Sequence, residues 1–324
     1  MGDEMVLDKG MKVSVIGGAG VVGSTAAYGI AQDGLASEIV LVDTNWSLAE
    51  AHALDIDQAV AHRSMTRVYV GETKDTKNSD IIIFTVSSPR PLSLSSRSEF
   101  LPQNLQLVIS LLEPLLAHSP TAIWILTTVP VDPLIYLMHR TFSIPRHKVL
   151  GLNWNDTSRF RWAIAKTLSV PCSDVEAYVL GEHGESQVPL FSLVKIRGKK
   201  IFFNSEQRNK IRSEVADFLP RWIKLKPGRT AGWITAESVG GIFRSIFSND
   251  RQIWVCSTPL EGEYGLSEVS LGVPMILSSE GVQNIIEFDL DSVENGALKA
   301  SASIIKNQIK EGKELLNRLR KDSR

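Results

Sequence analysis

Lys12-Val13-Ser14-Val15-Ile16-Gly17-Gly18-Ala19-Gly20-Val21-Val22-Gly23 is the stretch that decides the fold of this chain. The residues before the first glycine are rich in β-branched side chains and predict a short strand. Three of the glycines that follow have the spacing GxGxxG, namely Gly18, Gly20 and Gly23. Because residues 21–31 predict a helix, these glycines lie in a turn between a strand and a helix.

This turn has the chemistry of a phosphate-binding site. Gly18 permits a tight turn, Gly20 lets a pyrophosphate approach the backbone, and Gly23 lets the helix pack on the strand. The first turn of the helix offers backbone N–H groups that have no partner within the helix, and the positive end of the helix dipole. The turn is therefore predicted to bind the phosphates of a dinucleotide.

A second predicted strand, residues 38–42, is followed by Asp43, which lies 20 residues after Gly23. A carboxylate at this point can bind both ribose hydroxyls and would repel a 2′-phosphate, so NAD is favoured over NADP. Strand, glycines, helix, strand and acid in this order are much more specific than the glycines alone. The predicted cofactor-binding residues are Gly18, Gly20, Val21, Val22, Gly23, Asp43 and Ser87.

Strands and helices continue to alternate through the first half of the chain. Helices are predicted near residues 47–60 and 103–117, and strands near 67–70, 81–86, 121–126 and 148–150. The continuous apolar run at 81–86 is typical of a strand buried on both faces of a parallel sheet. These repeated units predict an α/β fold, with a Rossmann-type doubly wound parallel sheet over residues 1–151.

After Gly151 the pattern predicts a C-terminal α+β domain for substrate binding and catalysis, residues 152–324. Strands are predicted near 175–180, 193–201, 253–257 and 269–276, and helices near 205–219 and 236–247. A long terminal helix is predicted to begin at Asp291, with Glu294 completing a capping box. The predicted inward face of that helix consists of Val293, Ala297, Ala300, Ile304, Ile305, Leu315, Leu316 and Leu319.

The composition excludes several classes of protein. The chain has 324 residues, 43% of them apolar, with 35 Lys and Arg against 36 Asp and Glu. That balance leaves no electrostatic footprint for nucleic acid or for an anionic membrane. Cys172 and Cys256 are the only cysteines and are predicted to be buried free thiols, so neither a disulfide nor a metal site is expected. With no apolar signal or spanning segment, a cytoplasmic protein is predicted.

A long segment rich in Ser and Pro, residues 87–99, follows the predicted strand at 81–86. A loop of this length inside a compact domain is more often an active-site lid than a filler. Arg90 and Arg97 are its only cations.

A histidine between two glycines follows another apolar run, in the order Tyr178-Val179-Leu180-Gly181-Glu182-His183-Gly184. This pattern predicts that a strand end delivers an imidazole into an open turn. His is the side chain whose charge changes near neutral pH without special tuning. Further upstream, Asn155 and Asp156 are predicted to cap a helix, and Arg159 is a neighbour of Asp156 on its first turn.

The order of these motifs resembles the lactate/malate dehydrogenase family, over nearly the whole chain. The resemblance includes the glycine fingerprint, Asp43, the Arg97 loop, and the segments 130–132, 156–161 and 181–184. In that family an L-2-hydroxy acid and a 2-keto acid are interconverted with NAD. The resemblance also implies a homodimer or homotetramer.

The resemblance assigns catalytic roles to His183, Asp156 and Arg97. His183 would donate a proton to the keto oxygen as hydride arrives, Asp156 would bond the far ring nitrogen, and Arg97 would polarise the carbonyl when the lid closes. Arg159 would clamp the substrate carboxylate with two parallel hydrogen bonds. Thr230 would line the substrate pocket.

Three features depart from the family pattern. Val129 stands where the family has an Asn whose amide contacts substrate and cofactor. The lid lacks the glycine that usually precedes its arginine, and counting back six positions from Arg97 places Pro91 where the family reads the substrate. The stretch before Asp156 is one residue shorter than in the family.

These departures leave three functions open. The leading prediction is an NAD-dependent L-2-hydroxy acid dehydrogenase of the lactate type, acting on a monocarboxylic substrate with an apolar side chain. Arg90 supports malate dehydrogenase instead, because one inserted residue would place its guanidinium where it binds a second carboxylate. A catalytically weak NAD-binding protein, serving as a sensor or partner module, is the third function, motivated by Val129 and the unusual lid.

Overall fold

The computed structural model describes residues 10–88 and 98–322. Its strands are β1 (Met11–Ile16), β2 (Ala36–Val42), β3 (Arg67–Val70), β4 (Ile81–Phe84), β5 (Ile123–Leu126), β6 (Val149–Leu152), β7 (Val175–Glu176), β8 (Val179–Gly181), β9 (Gln187–Pro189), β10 (Lys195–Ile196), β11 (Lys199–Lys200), β12 (Ile253–Glu261), β13 (Ser267–Ser278) and β14 (Gly281–Ile285). Its α-helices are α1 (Val21–Ala31), α2 (Trp46–Val60), α3 (Leu101–His118), α4 (Val131–Phe142), α5 (Trp154–Leu168), α6 (Ser205–Ala216), α7 (Phe218–Lys224), α8 (Trp233–Ser248) and α9 (Ser292–Asp322).

The first six strands form a parallel sheet in the order β3-β2-β1-β4-β5-β6. All four residues of β4 and all four of β5 are buried, as expected for strands covered by helices on both faces. The change of direction in strand order falls between β1 and β4, where open sheets of this kind bind ligands beyond the carboxyl ends of their strands. The predicted α/β doubly wound fold is confirmed.

The sheet continues into the second half of the chain. β12 pairs antiparallel with β6, and the long β12–β13 hairpin carries β8 and β14 on the far side of β13. A short separate sheet, β11-β10-β7, covers a second apolar core in which Phe160 and Phe191 make an edge-to-face contact. The C-terminal half is therefore mixed α and β, and the hairpin places the end of β8 close to β6.

Helices α1 and α8 cross at close range and join the two halves of the chain. A Cβ on Gly29 would lie 2.7 Å from the carbonyl oxygen of Ala236, and one on Gly240 would lie 3.1 Å from the carbonyl oxygen of Gly29. Small residues at both positions let the two backbones approach, so helix α8 packs directly on the helix that follows the glycine turn.

The structure corrects several predicted elements. Helix α4 was not predicted, and the helix predicted at 205–219 is divided into α6 and α7 at Asp217. Helix α5 already begins at Trp154, so Asp156 lies inside its first turn and does not cap it. Cys256 is buried as predicted, whereas Cys172 is exposed.

The predicted inward face of α9 is wrong in its first half. Val293 is 74% exposed and Ile304 is 43% exposed, whereas Leu298, Ala302 and Ile305 are buried. The spacing of apolar residues does not indicate the true inward face, because polar residues occupy much of it. The buried polar residues of α9 are Glu294, Ser301 and Gln308.

Candidate active site

The glycine turn joins the end of β1 to α1 with very little space. Gly17 has a φ of 94°, and the carbonyl oxygen of Gly17 would lie only 2.2 Å from a Cβ on Gly23. Gly18 packs on β2, since its Cβ would lie 2.7 Å from the Cβ of Leu41. The left-handed residue of the turn is therefore Gly17, which the GxGxxG pattern does not include.

Gly20 is the N-cap of α1, and no side chain caps that end of the helix. Within 4 Å, a Cβ on Gly20 would contact only the Gly17 carbonyl oxygen, at 3.3 Å, so the space on this side of the residue is otherwise open. Backbone N–H groups of the first helical turn are thus available to an anion that approaches Gly20.

Asp43 lies beside this turn and already bonds the backbone. One carboxylate oxygen accepts from the N–H of Ala19 at 3.0 Å and the other from the N–H of Asn45 at 2.9 Å. Each carboxylate oxygen has a second lone pair, so the carboxylate retains acceptors for two ribose hydroxyls. The open helix N-terminus and this fixed carboxylate fit the phosphate and ribose groups of NAD.

His183, Asp156 and Arg159 form one connected group. The Nδ1 of His183 lies 2.6 Å from Oδ2 of Asp156, and the Nη1 of Arg159 lies 3.3 Å from Oδ1 of the same carboxylate. The side chains are only 10%, 6% and 15% exposed for His183, Asp156 and Arg159. Because an ionised carboxylate only accepts, Nδ1 of His183 carries the shared hydrogen, and Nε2 is the ring nitrogen that can gain or lose a proton.

The turn that carries His183 is held from several sides. Gly181 ends β8 with a φ of 85°, and the N–H of Glu182 donates to Oγ of Ser301 in α9 at 2.9 Å. Glu182 in turn accepts from the N–H and the hydroxyl of Ser186, at 3.0 and 2.6 Å. The buried polar face of α9 therefore supports the candidate catalytic turn.

Asp132 in the first turn of α4 also reaches this turn. Its Oδ2 accepts from the main-chain N–H of His183 at 2.7 Å, and its Oδ1 accepts from Nδ2 of Asn153 at 3.2 Å. Burial raises the pKa of Asp132 to about 7, although the hydrogen bonds from His183 and Asn153 and the nearby Ser257 hydroxyl act in the opposite direction. In the sequence, Asp132 stands out only as part of the segment 130–132, which predicts no function for it.

Arg159 packs under an aromatic side chain from α7. Its guanidinium carbon lies 4.5 Å from the centre of the Phe218 ring, and Phe218 stacks on Trp222 at 6.0 Å. Thr230 is exposed in the segment between α7 and α8. Phe218 was not predicted as a site residue, because nothing in the local sequence connects it with Arg159, which lies 59 positions earlier.

Val129 precedes a cis peptide bond to Pro130. Its carbonyl oxygen accepts from Nδ2 of buried Asn104 at 2.6 Å, while Oδ1 of Asn104 accepts from the N–H of Ser88 at 2.7 Å. Asn104 thereby connects the Val129–Pro130 peptide to the segment after β4, where the predicted cofactor residue Ser87 is exposed. The Val129 side chain is half-buried and brings no hydrogen-bond donor.

Arg90, Pro91 and Arg97 lie outside the described residues. Within residues 10–88 and 98–322, no group of three or more His, Cys, Asp and Glu side chains is arranged to hold a metal ion. Among the helices of the same ranges, none has the length and apolarity needed to cross a membrane.

A glycine turn at the switch point of a parallel sheet and an imidazole paired with a carboxylate define the class of nicotinamide-dependent dehydrogenases. Two family models match the chain: the lactate/malate dehydrogenase NAD-binding domain over residues 11–151, and the lactate/malate dehydrogenase alpha/beta C-terminal domain over residues 155–316.

Individual relatives include both types of enzyme. The chain is 32% identical over 303 residues to a malate dehydrogenase of Halobacterium salinarum, covering 93% of this chain and 99% of that one. It is 33% identical over 309 residues to an L-lactate dehydrogenase of Thermoanaerobacter sp., covering 93% and 98%. The crystal structure of Cryptosporidium parvum malate dehydrogenase superposes with a TM-score of 0.89 at 28% identity, covering 94% and 99%.

The chain therefore belongs to the lactate/malate dehydrogenase family. It is an oxidoreductase that uses NAD.

Proposed function

We propose that this protein is an NAD-dependent L-2-hydroxy acid dehydrogenase of the lactate type, whose substrate is a monocarboxylic 2-keto acid with an apolar side chain. The observation that carries the proposal is the 2.6 Å contact between Nδ1 of His183 and Asp156, with Arg159 on the other oxygen of the same carboxylate. This group supplies a proton donor and a cation for a carboxylate within one small volume.

In this proposal NADH, bound at the glycine turn, supplies the hydride. Nε2 of His183 donates a proton to the keto oxygen, and Asp156 stabilises the ring as its charge changes. Arg159 binds the substrate carboxylate. Phe218 lies over one face of the Arg159 guanidinium, so the planar group keeps its edge for two parallel hydrogen bonds. Arg97 completes the proposed site as the group that polarises the carbonyl.

The apolar surroundings of Arg159 favour a monocarboxylic substrate. Phe218 and Trp222 form a stacked pair beside it, and Val129 is apolar where the family has an amide. A second carboxylate on the substrate would lose hydration against these side chains without gaining a partner from them. The proposed preference is therefore for an uncharged substrate side chain.

A panel of 2-keto acids with NADH tests the proposal. We expect turnover of pyruvate or of longer apolar 2-keto acids, and weaker turnover of oxaloacetate, measured as kcat/KM from NADH absorbance. Equal or better use of oxaloacetate would reject the monocarboxylic preference.

Malate dehydrogenase is the second candidate, because Arg90 offers a cation for a second carboxylate and one relative is a malate dehydrogenase. In that case Arg90→Gln should lower kcat/KM for oxaloacetate selectively. An unchanged ratio of oxaloacetate to pyruvate in Arg90→Gln would remove this candidate. No turnover of any 2-keto acid, together with a shift in Tm on adding NAD, would favour the sensor or partner module.

We also propose that the protein is a homo-oligomer. Trp46 and Leu54 lie eight residues apart on α2 and are 43% and 60% exposed. Residues at this spacing share one helix face, and a second copy of the chain would bury them. Light scattering should give at least twice the mass of 35.7 kDa, and Leu54→Glu should reduce it. A monomer at micromolar concentration would contradict the proposal.

A further inference from the structure

Asp132 is a buried acid that the proposed reaction does not use. Its side chain is 1% exposed, and it lies in the N-terminal half of the chain, 51 residues before His183. Buried carboxylates are costly unless donors surround them, so the contacts of Asp132 indicate what keeps it there.

Each of its neighbours can donate a hydrogen bond. The N–H of His183 lies 2.7 Å from Oδ2, and Nδ2 of Asn153 lies 3.2 Å from Oδ1. The Ser257 hydroxyl also lowers the pKa of this carboxyl, although its Oγ makes no hydrogen bond within the described part of the chain. Nδ2 of Asn153 also reaches the carbonyl oxygen of Gly181 at 3.3 Å. Asp132 is thus connected to both ends of the segment from Gly181 to His183.

The position of Asp132 in the fold makes this contact a link between the two halves of the chain. It lies in the first turn of α4, where the helix dipole favours negative charge. The helix follows β5 and the cis peptide before Pro130, at the carboxyl edge of the parallel sheet. The contact with Asp132 therefore fixes the position of His183 relative to the edge of the sheet where we propose that NAD binds.

We propose that ionised Asp132 is a positioning residue for His183: it holds the main-chain N–H of His183 while Asp156 holds the imidazole ring. Two carboxylates from different helices then fix the histidine at two points. The inference rests on the proposed function, because the position of His183 matters for a reaction in which it transfers a proton.

The carboxyl group of Asp132 should ionise near neutral pH. Burial raises its pKa to about 7, and the charge of Glu182 also raises it, whereas the three donors lower it. Among the described residues, Glu182 on the turn after β8 is the charged group that acts on it, and His183 on the same turn reaches it through its main-chain N–H. Protonation of Asp132 would weaken its bond to the His183 N–H, so its ionisation should be visible in catalysis.

The variant Asp132→Asn tests the proposal. Its amide places an N–H₂ group opposite a donor, so one of the present bonds is lost. We expect kcat for the preferred 2-keto acid to fall by about 10- to 100-fold, with the KM for NADH within about twofold. We expect kcat of the wild type to decrease below pH 7, and this decrease should be absent from the profile of the variant.

Asp57→Asn is the matched control. Oδ1 of Asp57 accepts from the N–H of Val68 at 2.9 Å, far along the chain from the histidine turn, so this variant also loses a carboxylate that binds backbone. Its kcat and its pH profile should remain those of the wild type. A folded Asp132→Asn protein with an unchanged kcat and an unchanged pH profile would overturn the proposal.

A measurement without substrate separates this proposal from the proposed function. In protein labelled with ¹⁵N only at histidine, the main-chain N–H signal of His183, assigned because it is missing in His183→Asn, should show a titration step near pH 7 that Asp132→Asn removes. If the wild type turns over no 2-keto acid, the proposed function fails, and this step still decides whether Asp132 acts on His183. Persistence of the step in Asp132→Asn would reject the contact.

Asn153→Ala provides a second variant in case Asp132→Asn does not fold. It removes one donor from the carboxylate and leaves the His183 bond in place, so the pKa of Asp132 should rise further. We expect activity that is low at pH 7 and recovers by about pH 9. An activity loss that is the same at every pH would show that Asp132 and Asn153 only support the fold.

Discussion

Asp156 is the residue on which the candidate site depends, because its two oxygens hold different partners. Oδ2 lies 2.6 Å from His183 and Oδ1 lies 3.3 Å from Arg159, and the carboxylate is almost fully buried. A buried carboxylate requires such partners, and each partner is oriented in return. The single side chain of Asp156 therefore orients both the proposed proton donor, His183, and the proposed partner of the substrate carboxylate, Arg159.

Replacement of the histidine tests its proposed role. His183→Asn should lower kcat by about 10²- to 10⁴-fold, because the general acid is lost, while the Kd for NADH stays within about threefold. His62→Asn, at an exposed histidine on the surface, should leave kcat unchanged. Steady-state kinetics and fluorescence titration of NADH measure both effects. Retention of wild-type kcat in His183→Asn would exclude it as the proton donor.

Val129 allows a gain of function to be predicted. Val129→Asn adds an amide to a half-buried side chain three residues before Asp132 and leaves its carbonyl bond to Asn104 in place. One recovered hydrogen bond to a reacting group should raise kcat/KM by about 5- to 150-fold. Val129→Ala, which adds no donor, should give no increase. If Val129→Asn is no faster than Val129→Ala, the missing amide does not limit this enzyme.

At the scale of single elements, the β1–α1 turn shows that glycines of one motif serve different purposes. The Gly17 oxygen would lie 2.2 Å from a Cβ on Gly23 and 3.3 Å from one on Gly20. Gly23 is therefore required by packing within the protein, whereas Gly20 leaves space for a ligand. The terminal helix α9 shows a related division, since buried Ser301 and Gln308 contact the histidine turn, Glu294 accepts from Ser192, and the buried apolar residues pack in the core.

Alanine variants should separate these purposes. Gly23→Ala should lower the free energy of unfolding by about 1–3 kcal/mol through overpacking. Gly20→Ala should keep the wild-type Tm to within a few degrees and weaken NAD binding by about tenfold. Thermal unfolding and calorimetry measure these effects.

Gly296→Ala is the control for both alanine variants. A Cβ at this position in α9 would meet no other atom, so the variant should be neutral or stabilising by about 0.5–1 kcal/mol. If Gly23→Ala is as stable as Gly296→Ala, the close contact with Gly17 is not a constraint.

At the scale of the whole molecule, one continuous sheet joins the NAD-binding half to the half that carries His183. β6 pairs with β5 on one side and with β12 on the other, and β12, β13 and β8 lead to the histidine turn. Helix α1 packs on α8 across the same boundary. A change of charge at Asp132, which bonds across this boundary, should therefore affect the stability of the whole fold.

The stability of the protein should depend on pH through Asp132. Its pKa is about 7 in the folded chain and 3.8 in the reference state, so the folded form binds a proton that the unfolded form has lost between these values. The favourable contribution is complete below pH 3.8 and is lost as pH rises through 7. Asp132 alone should lower the free energy of unfolding by about 3 kcal/mol between pH 5 and pH 8.

Urea unfolding of the wild type and of Asp132→Asn at these two pH values checks this dependence. The difference between pH 5 and pH 8 should be smaller in the variant by about that amount, whatever its absolute stability. An equal difference in the two proteins would mean that Asp132 is ionised throughout this range.

The alternation of strands and helices in the first half, apart from α4, the glycine turn and the acid after β2 could be predicted, because each depends on nearby residues. Helix α1 and strand β3 have the predicted bounds. The inward face of α9 could not be predicted. Glu294, Ser301 and Gln308 are polar, and they are buried where they form hydrogen bonds with residues that are distant in the sequence. A local hydrophobic pattern cannot reveal such partners.

For the site, the resemblance to the family identified His183, Asp156 and Arg159 as candidates, and the fold brings these three together. Only the tertiary structure showed that Asp132 binds the His183 backbone and that Phe218 covers Arg159. These contacts join residues 51 and 59 positions apart, on elements that meet only once the sheet and helices have packed. Such contacts depend on packing geometry in three dimensions, which has no local signature in the sequence.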